Sequence, residues 1–213
     1  RKTRRALLRW SCGHITPKDV ERLQPQEVLP PAFRLCVEAH LLWRLIDIER
    51  ANPGCRFPFD HLREPLKQRC KINAVRNLHR DACVAQLCAR MVEQGIPVML
   101  LKGTSLRFRY KALAGRPQCD TDLMVRRSQV EDAEQILIDA GYHVDEKSFS
   151  REEYLSKHFD LRMVNGADSI ELHWAMGKDC AAGAAGRAWD RAVRTNWHGI
   201  PVLLPSHEDE LIF

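Results

Sequence analysis

Residues 98–125 read VMLLKGTSLRFRYKALAGRPQCDTDLMV, and the fold turns on this stretch. It opens with an apolar run, Val98 to Leu101, that stops at Lys102 and Gly103. It closes with Asp120 and Asp122, which alternate with apolar residues. An apolar strand feeding a Gly-Thr turn can aim backbone N–H groups at a phosphate. Side chains alternate along a strand, so carboxylates at i and i+2 share a face. Such a pair suits a hard divalent cation, which prefers oxygen ligands. A third acid comes from Ser169 to Trp174, SIELHW, where Ile170 and Leu172 take one face and Glu171 and His173 the other. If that strand lies beside the Asp120/Asp122 strand, the three carboxylates converge.

Working outward, the pattern on the N-terminal side is helical. Thr16-Pro17 opens a short helix, with Thr16 as cap and Pro17 in the first turn. Pro30-Pro31 is expected to break the chain. Phe33, Val37, Leu41, Leu45 and Ile48 recur at helical spacing, predicting a helix from Ala32 to Ile48 that ends at Asn52-Pro53-Gly54. A long helix is predicted from Glu64 to Gln94, with Cys70, Ala74, Leu78, Ala82, Ala85, Cys88 and Val92 as its stripe and Gly95 as its C-terminal cap.

After residue 95 the pattern switches. Ile96 to Leu101 reads as a buried strand, Ser105 to Leu113 as a helix after the glycine turn, and Cys119 to Val125 as a second strand. Ser128 is expected to cap a helix reaching Ala140, stopped by Gly141. Tyr142 to Val144 is a short edge strand. Phe159–Val164 and Ser169–Trp174, joined by Asn-Gly-Ala-Asp, read as an antiparallel hairpin. Gly177 to Gly186 reads as a loop, Trp189 to Val193 as a short helix and Trp197 to Leu204 as a strand. Ser206 caps a last helix. The expected organisation is a helical region at 1–95, an α+β core with a mixed sheet at 96–205, and the start of a C-terminal helix at 206–213, where the chain reads as a fragment.

The bounds agree with this. At 213 residues and 45% hydrophobic content, one domain with a helical appendage can fill a core. No segment approaches the roughly 20 apolar residues of a membrane span, and the basic start, Arg1 to Arg9, has no apolar run behind it as a secretory signal would. Eight cysteines at irregular spacing, with no CxxC, read as reduced thiols in a cytoplasmic protein. A net charge of +5 suits a phosphate-bearing substrate. No basic stripe with interleaved aromatics points to duplex nucleic acid, and the N-terminal arginines read as a solvated helix end.

Leu-Lys-Gly-Thr, Arg116, Asp-Thr-Asp-Leu-Met-Val and Ile-Glu-Leu-His-Trp together resemble the nucleotidyltransferase superfamily with the DNA polymerase β catalytic fold. Within it they are similar to a bacterial family with Leu-Lys-Gly and Asp-x-Asp-Leu motifs. The superfamily pattern has Gly followed by Gly or Ser; Thr104 departs from it but keeps a hydroxyl, and a Glu as third acid is allowed. The resemblance implies transfer of an NMP group from an NTP to an acceptor with release of pyrophosphate. It implies Mg²⁺, or Mn²⁺, held by Asp120, Asp122 and Glu171, with Glu171 also placed to help remove the acceptor's proton. Gly103, Thr104 and Ser105 would approach the triphosphate, with Lys102 and Arg116 as phosphate ligands. The acceptor, a small molecule, protein or RNA end, is not legible. Asp122→Asn is expected to abolish transfer with little loss of stability.

Each feature also has a plain structural reading. Lys102 can be a solvent-facing lysine, and Arg116 a partner that keeps Asp120 and Asp122 from repelling each other. His173 reads first as a hydrogen-bonded structural histidine, Trp174, Trp189 and Trp197 as core, and His79, Cys83 and Cys88 as no zinc site, for want of a second ligand pair. Two other function classes stay open: a catalytically weak regulatory or binding module on the same fold, and a phosphotransferase moving the γ-phosphate.

Overall fold

The computed structural model describes residues 9–10, 14, 16–53, 59–109, 115–147, 149–177 and 183–211. The basic N-terminal arm up to residue 8, the expected helix end at Leu113 and Cys12, Cys55 and Cys180 lie outside them. The chain divides into two compact units, residues 1–78 with 110–117, and residues 79–109 with 118–213. Among the described residues no helix is long and apolar enough to cross a membrane.

The first unit is helical: α1 (Pro17–Glu21), α2 (Pro25–Arg34), α3 (Glu38–Ala51) and the first part of α4 (Asp60–Glu93). Thr16 caps α1 through a capping box with Asp19. Pro30 and Pro31 do not break the chain; both sit inside α2. The carbonyls they leave without an N–H partner belong to Gln26 and Glu27, which are exposed, so water can serve them. The expected helix from Ala32 to Ile48 is in fact two, parted at Cys36, which takes φ +54°. Trp10, Val28, Leu41, Leu45, Phe59, Leu62 and Leu66 fill this unit's core.

The helix α4 departs from its expected stripe. Leu78 and Val75 are exposed, while Asn73 and Asn77 are buried. The asparagines turn inward because they have acceptors there: Asn73 Nδ2 donates to Glu38 Oε1 (2.9 Å) and to the Gly115 carbonyl (3.2 Å), and Asn77 Nδ2 to the Arg116 carbonyl (2.7 Å). A donor matched to a buried acceptor outranks the periodicity. Gly95, with φ +75°, follows the helix as expected.

The second unit carries a seven-stranded mixed sheet, so the chain is α+β, with the sheet preceded by a helical region. Its strands are β1 (Met99–Leu100), β2 (Thr121–Met124), β3 (His143–Val144), β4 (Asp160–Asn165), β5 (Asp168–His173), β6 (Val193–Trp197) and β7 (Ile200–Leu204). Their spatial order is β3-β4-β5-β2-β1-β7-β6. β2 runs antiparallel to β1 and parallel to β5; β4 and β5 form the expected hairpin, with Gly166 at φ +59° in its turn. One face of the sheet sends Leu100, Leu123, Ile170 and Leu172 into the main core with Val84, Cys88 and Met91 of α4. The other face places Met99, Leu101 and Met124 in a smaller cluster with Ala188 and Trp189.

The remaining helices are α5 (Lys102–Arg109), α6 (Val130–Asp139), α7 (Arg151–Lys157), α8 (Ala184–Arg191) and α9 (His207–Glu210). Three expectations are corrected. A 3₁₀ turn at Arg127–Gln129 leads into α6, so Ser128 is not its cap. The helix expected at Trp189–Val193 lies earlier, at α8, opened by Gly183 at φ +86°. Trp197 to Leu204 is not one strand: β6 and β7 turn on His198 and Gly199 at φ +53° and +86°, with Asn196 Oδ1 accepting from the Gly199 N–H (2.8 Å). Ser206 caps α9, as expected, accepting from the Asp209 N–H.

Candidate active site

The parallel register of β2 and β5 pairs Thr121 with Ile170, Asp122 with Glu171, Leu123 with Leu172 and Met124 with His173. Residues paired in this way point to the same side of the sheet. Asp122, Glu171 and His173 therefore share the face opposite the main core. Asp122 is 2% exposed and His173 1%, whereas Glu171 is half-buried. Their ligand atoms lie within 4.8 Å of one another.

A cation already sits among them. Lys102 Nζ donates to Asp122 Oδ1 at 2.6 Å and to Glu171 Oε2 at 3.2 Å. His173 Nε2 lies 3.1 Å from Asp122 Oδ1 and 3.5 Å from Glu171 Oε2. Both carboxylate oxygens can accept a hydrogen bond from this nitrogen. Burial works against the charged forms of Lys102 and His173, but the two carboxylates outweigh it and raise both pKa values. The His173 imidazole, then Asp122 and Lys102, hold Glu171 well below the usual carboxylate range against its burial.

Asp120 sits just before β2, half-buried. Burial raises its pKa, and the charges of Asp122 and Glu171 raise it further. It lies close enough to feel both acids, yet its oxygens are not in the 4.8 Å cluster. Gln118 fixes its approach. The amide Nε2 donates to the Asp120 carbonyl (2.5 Å) and to Thr104 Oγ1 (2.9 Å), and its Oε1 accepts from Arg107 Nε (2.7 Å). Arg107 in turn grips Asp81 with two bonds, at 2.7 and 2.8 Å.

The glycine turn is built differently from the expectation. The left-handed residue is Lys102, at φ +44° where α5 begins, and Gly103 lies in the first turn of the helix. Thr104 and Ser105 are buried; Thr104 accepts from Gln118, and Ser105 donates to Glu210 Oε1 (2.5 Å). Arg116 belongs to the helical unit, where its carbonyl accepts from Asn77.

The donor set fits a divalent cation: two carboxylates and an imidazole bring their ligand atoms within 4.8 Å of one another, and the chain's own ammonium fills the electrostatic role there. The family described as uncharacterised nucleotidyltransferase matches residues 31–213. The chain belongs to that family. No curated protein and no solved structure matches it. Membership supports nucleotidyl transfer as the general class of activity and a nucleotide as substrate. In this nucleotidyltransferase family member the expected carboxylate motifs fall on adjacent strands, while His173 and Gln118 were not counted among the site residues. The alternation that puts His173 on Glu171's face was the available signal; Gln118 gave none, since its partners depend on tertiary structure. Trp174, Trp189 and Trp197 are buried, with Arg127 over the Trp174 ring and Arg126 over Trp189, each at 4.9 Å. A cleft of about 430 Å³ lined by Ile96, Val98, Arg194 and Val202 contains none of the site residues.

Proposed function

We propose that the protein is a metal-dependent nucleotidyltransferase that moves an NMP group from an NTP to a hydroxyl or similar acceptor. The observation that carries this reading is the register pairing of Asp122 with Glu171, which gathers their oxygens on one cation. Asp120, Asp122 and Glu171 would hold Mg²⁺ or Mn²⁺, with His173 bordering the same oxygens. When bound, the ion supplies Lewis-acid charge that stabilises the attacking and leaving oxygens of an in-line displacement.

In that displacement the acceptor oxygen bonds to the α-phosphorus, the bond from the α-phosphorus to the bridging oxygen breaks, and pyrophosphate leaves. The acceptor proton passes to a carboxylate or to water. Gly103 and Thr104 contribute first-turn N–H groups of α5, which have no partner within the helix, to the triphosphate. Lys102 adds positive charge for the phosphates. The Thr104 and Ser105 hydroxyls, bound to Gln118 and Glu210, brace the start of α5.

The test is incubation of the protein with α-labelled and γ-labelled NTPs, Mg²⁺ or Mn²⁺ and a panel of acceptors. Label from the α position on an acceptor, with pyrophosphate released, is the expected result. Label transferred from the γ position would make the protein a phosphotransferase, and nucleotide binding without transfer a binding module.

A further inference from the structure

We infer that Lys102 sets how readily the carboxylate site takes up a divalent cation, because its ammonium competes with that cation for the same oxygens. The inference rests on the reading of Asp122 and Glu171 as metal ligands. Lys102 Nζ is 2.6 Å from Asp122 Oδ1 and 3.2 Å from Glu171 Oε2, with His173 Nε2 at 3.5 Å. These are the three residues whose ligand atoms cluster within 4.8 Å. An ammonium at direct contact with both carboxylates occupies the place of a second cation on the same atoms, and two positive charges repel strongly at that range.

The backbone bears this out. Lys102 holds φ +44°, a conformation that L side chains rarely adopt. The neighbouring residues impose it. Leu101 is tied to β2 by its N–H on the Asp122 carbonyl (3.0 Å), and α5 begins at Lys102 itself. The turn thus sets a lysine at the end of β1, beside β2 and one strand from β5. The Lys102 side chain is 34% exposed, whereas the Asp122 side chain is 3% exposed. The ammonium therefore has a route to solvent that the aspartate lacks, and it can leave while the acid stays in place. An internal counter-ion of this kind keeps the acids neutralised by the chain itself, and an entering metal must displace it.

The experiment compares Mn²⁺ binding by calorimetry for the full chain, for Lys102→Met and for Lys157→Met, which removes the same charge from the exposed face of α7. Lys102→Met is expected to bind Mn²⁺ about tenfold more tightly or better, a floor that sits well under the Coulomb energy of a contact ion pair at an intermediate dielectric. Lys157→Met should bind as the unaltered chain does. Lys102→Met should also melt at a lower temperature than the unaltered chain, and saturating Mn²⁺ should close the gap. A second measurement needs no variant. Limited acylation of amines, read by peptide mass spectrometry, should label Lys102 several-fold more in saturating Mg²⁺, with Lys157 unchanged. If the unaltered chain binds Mn²⁺ and Lys102→Met binds no more tightly, or if Lys102 labelling does not rise, this inference is overturned and the metal site stands. If neither protein binds Mn²⁺ at millimolar concentration, the metal reading falls, and this one with it.

Discussion

At the scale of single residues, Asp122 has most at stake. The sequence leads one to expect a metal-binding carboxylate there, and on that basis Asp122→Asn should cost activity but little stability. The structure changes the second half of that expectation. Asp122 is buried and accepts from both Lys102 and His173. The amide keeps one acceptor but loses the charge that Lys102 and His173 both face. Asp122→Asn should therefore abolish α-label transfer and also lower stability by about 1–3 kcal/mol, measured by urea unfolding without added metal. A variant that transfers label at the rate of the unaltered chain would remove Asp122 from the site. The acids themselves were legible, because period-two alternation alone assigns a face to Asp122, Glu171 and His173. The ammonium among them was not. Whether Lys102 faces solvent or the acids depends on which strand lies beside β1 and on a left-handed turn that the sequence would have assigned to Gly103.

At the scale of elements, one amide braces the approach from α5 to β2. Gln118 ties Thr104 of α5 to the Asp120 carbonyl, and Arg107 and Asp81 hold Gln118 in turn. Gln118→Met has similar length and none of these bonds. It should slow transfer about tenfold through misplacement of Asp120, at a stability cost of about 1–2 kcal/mol. The check is transfer rate against thermal unfolding, and a destabilised variant with unchanged turnover would show that Asp120 does not depend on this amide. A second element, α9, is pinned by Asp209, which accepts from Ser206 Oγ (2.9 Å) and pairs with Arg191. The Arg191 guanidinium, against burial and with help from Ser206, holds Asp209 below its ordinary 3.8. A lowered folded-state value means that the stabilisation is complete above pH 3.8 and disappears as pH falls below it. Asp209→Asn should therefore lower stability near neutral pH and flatten the part of the acid-unfolding curve below pH 3.8. Helix ends were the readable part of these elements: Thr16 and Ser206 cap as expected, because capping is local chemistry. The interior of α4 was not readable. Asn73 and Asn77 interrupt its apolar spacing, and their acceptors, Glu38 and the carbonyls of Gly115 and Arg116, lie far away in sequence.

At the scale of the molecule, the two units have separate cores, and α4 carries a thiol into each. Cys70 lies in the part of α4 that belongs to the helical unit, and Cys88 is packed in the main core beneath the sheet. Burial pushes the Cys70 thiol up to about 11 and the Cys88 thiol up to about 12. The thiolate is the reactive form, so both should resist alkylation while their surroundings are intact, and exposed Cys119 should react at once. Brief pulses of N-ethylmaleimide at rising urea, with the modified peptides identified by mass spectrometry, then report each unit through its own cysteine. Cys88 is fully buried among large side chains of the sheet and α6, whereas Cys70 is partly exposed. Local opening costs least where buried contacts are fewest. Cys70 should become reactive at a lower urea concentration than Cys88, giving two midpoints along one continuous helix. A single shared midpoint would mean that α4 couples the two cores into one cooperative transition, and the stability losses of the site variants would then register in the helical unit as well.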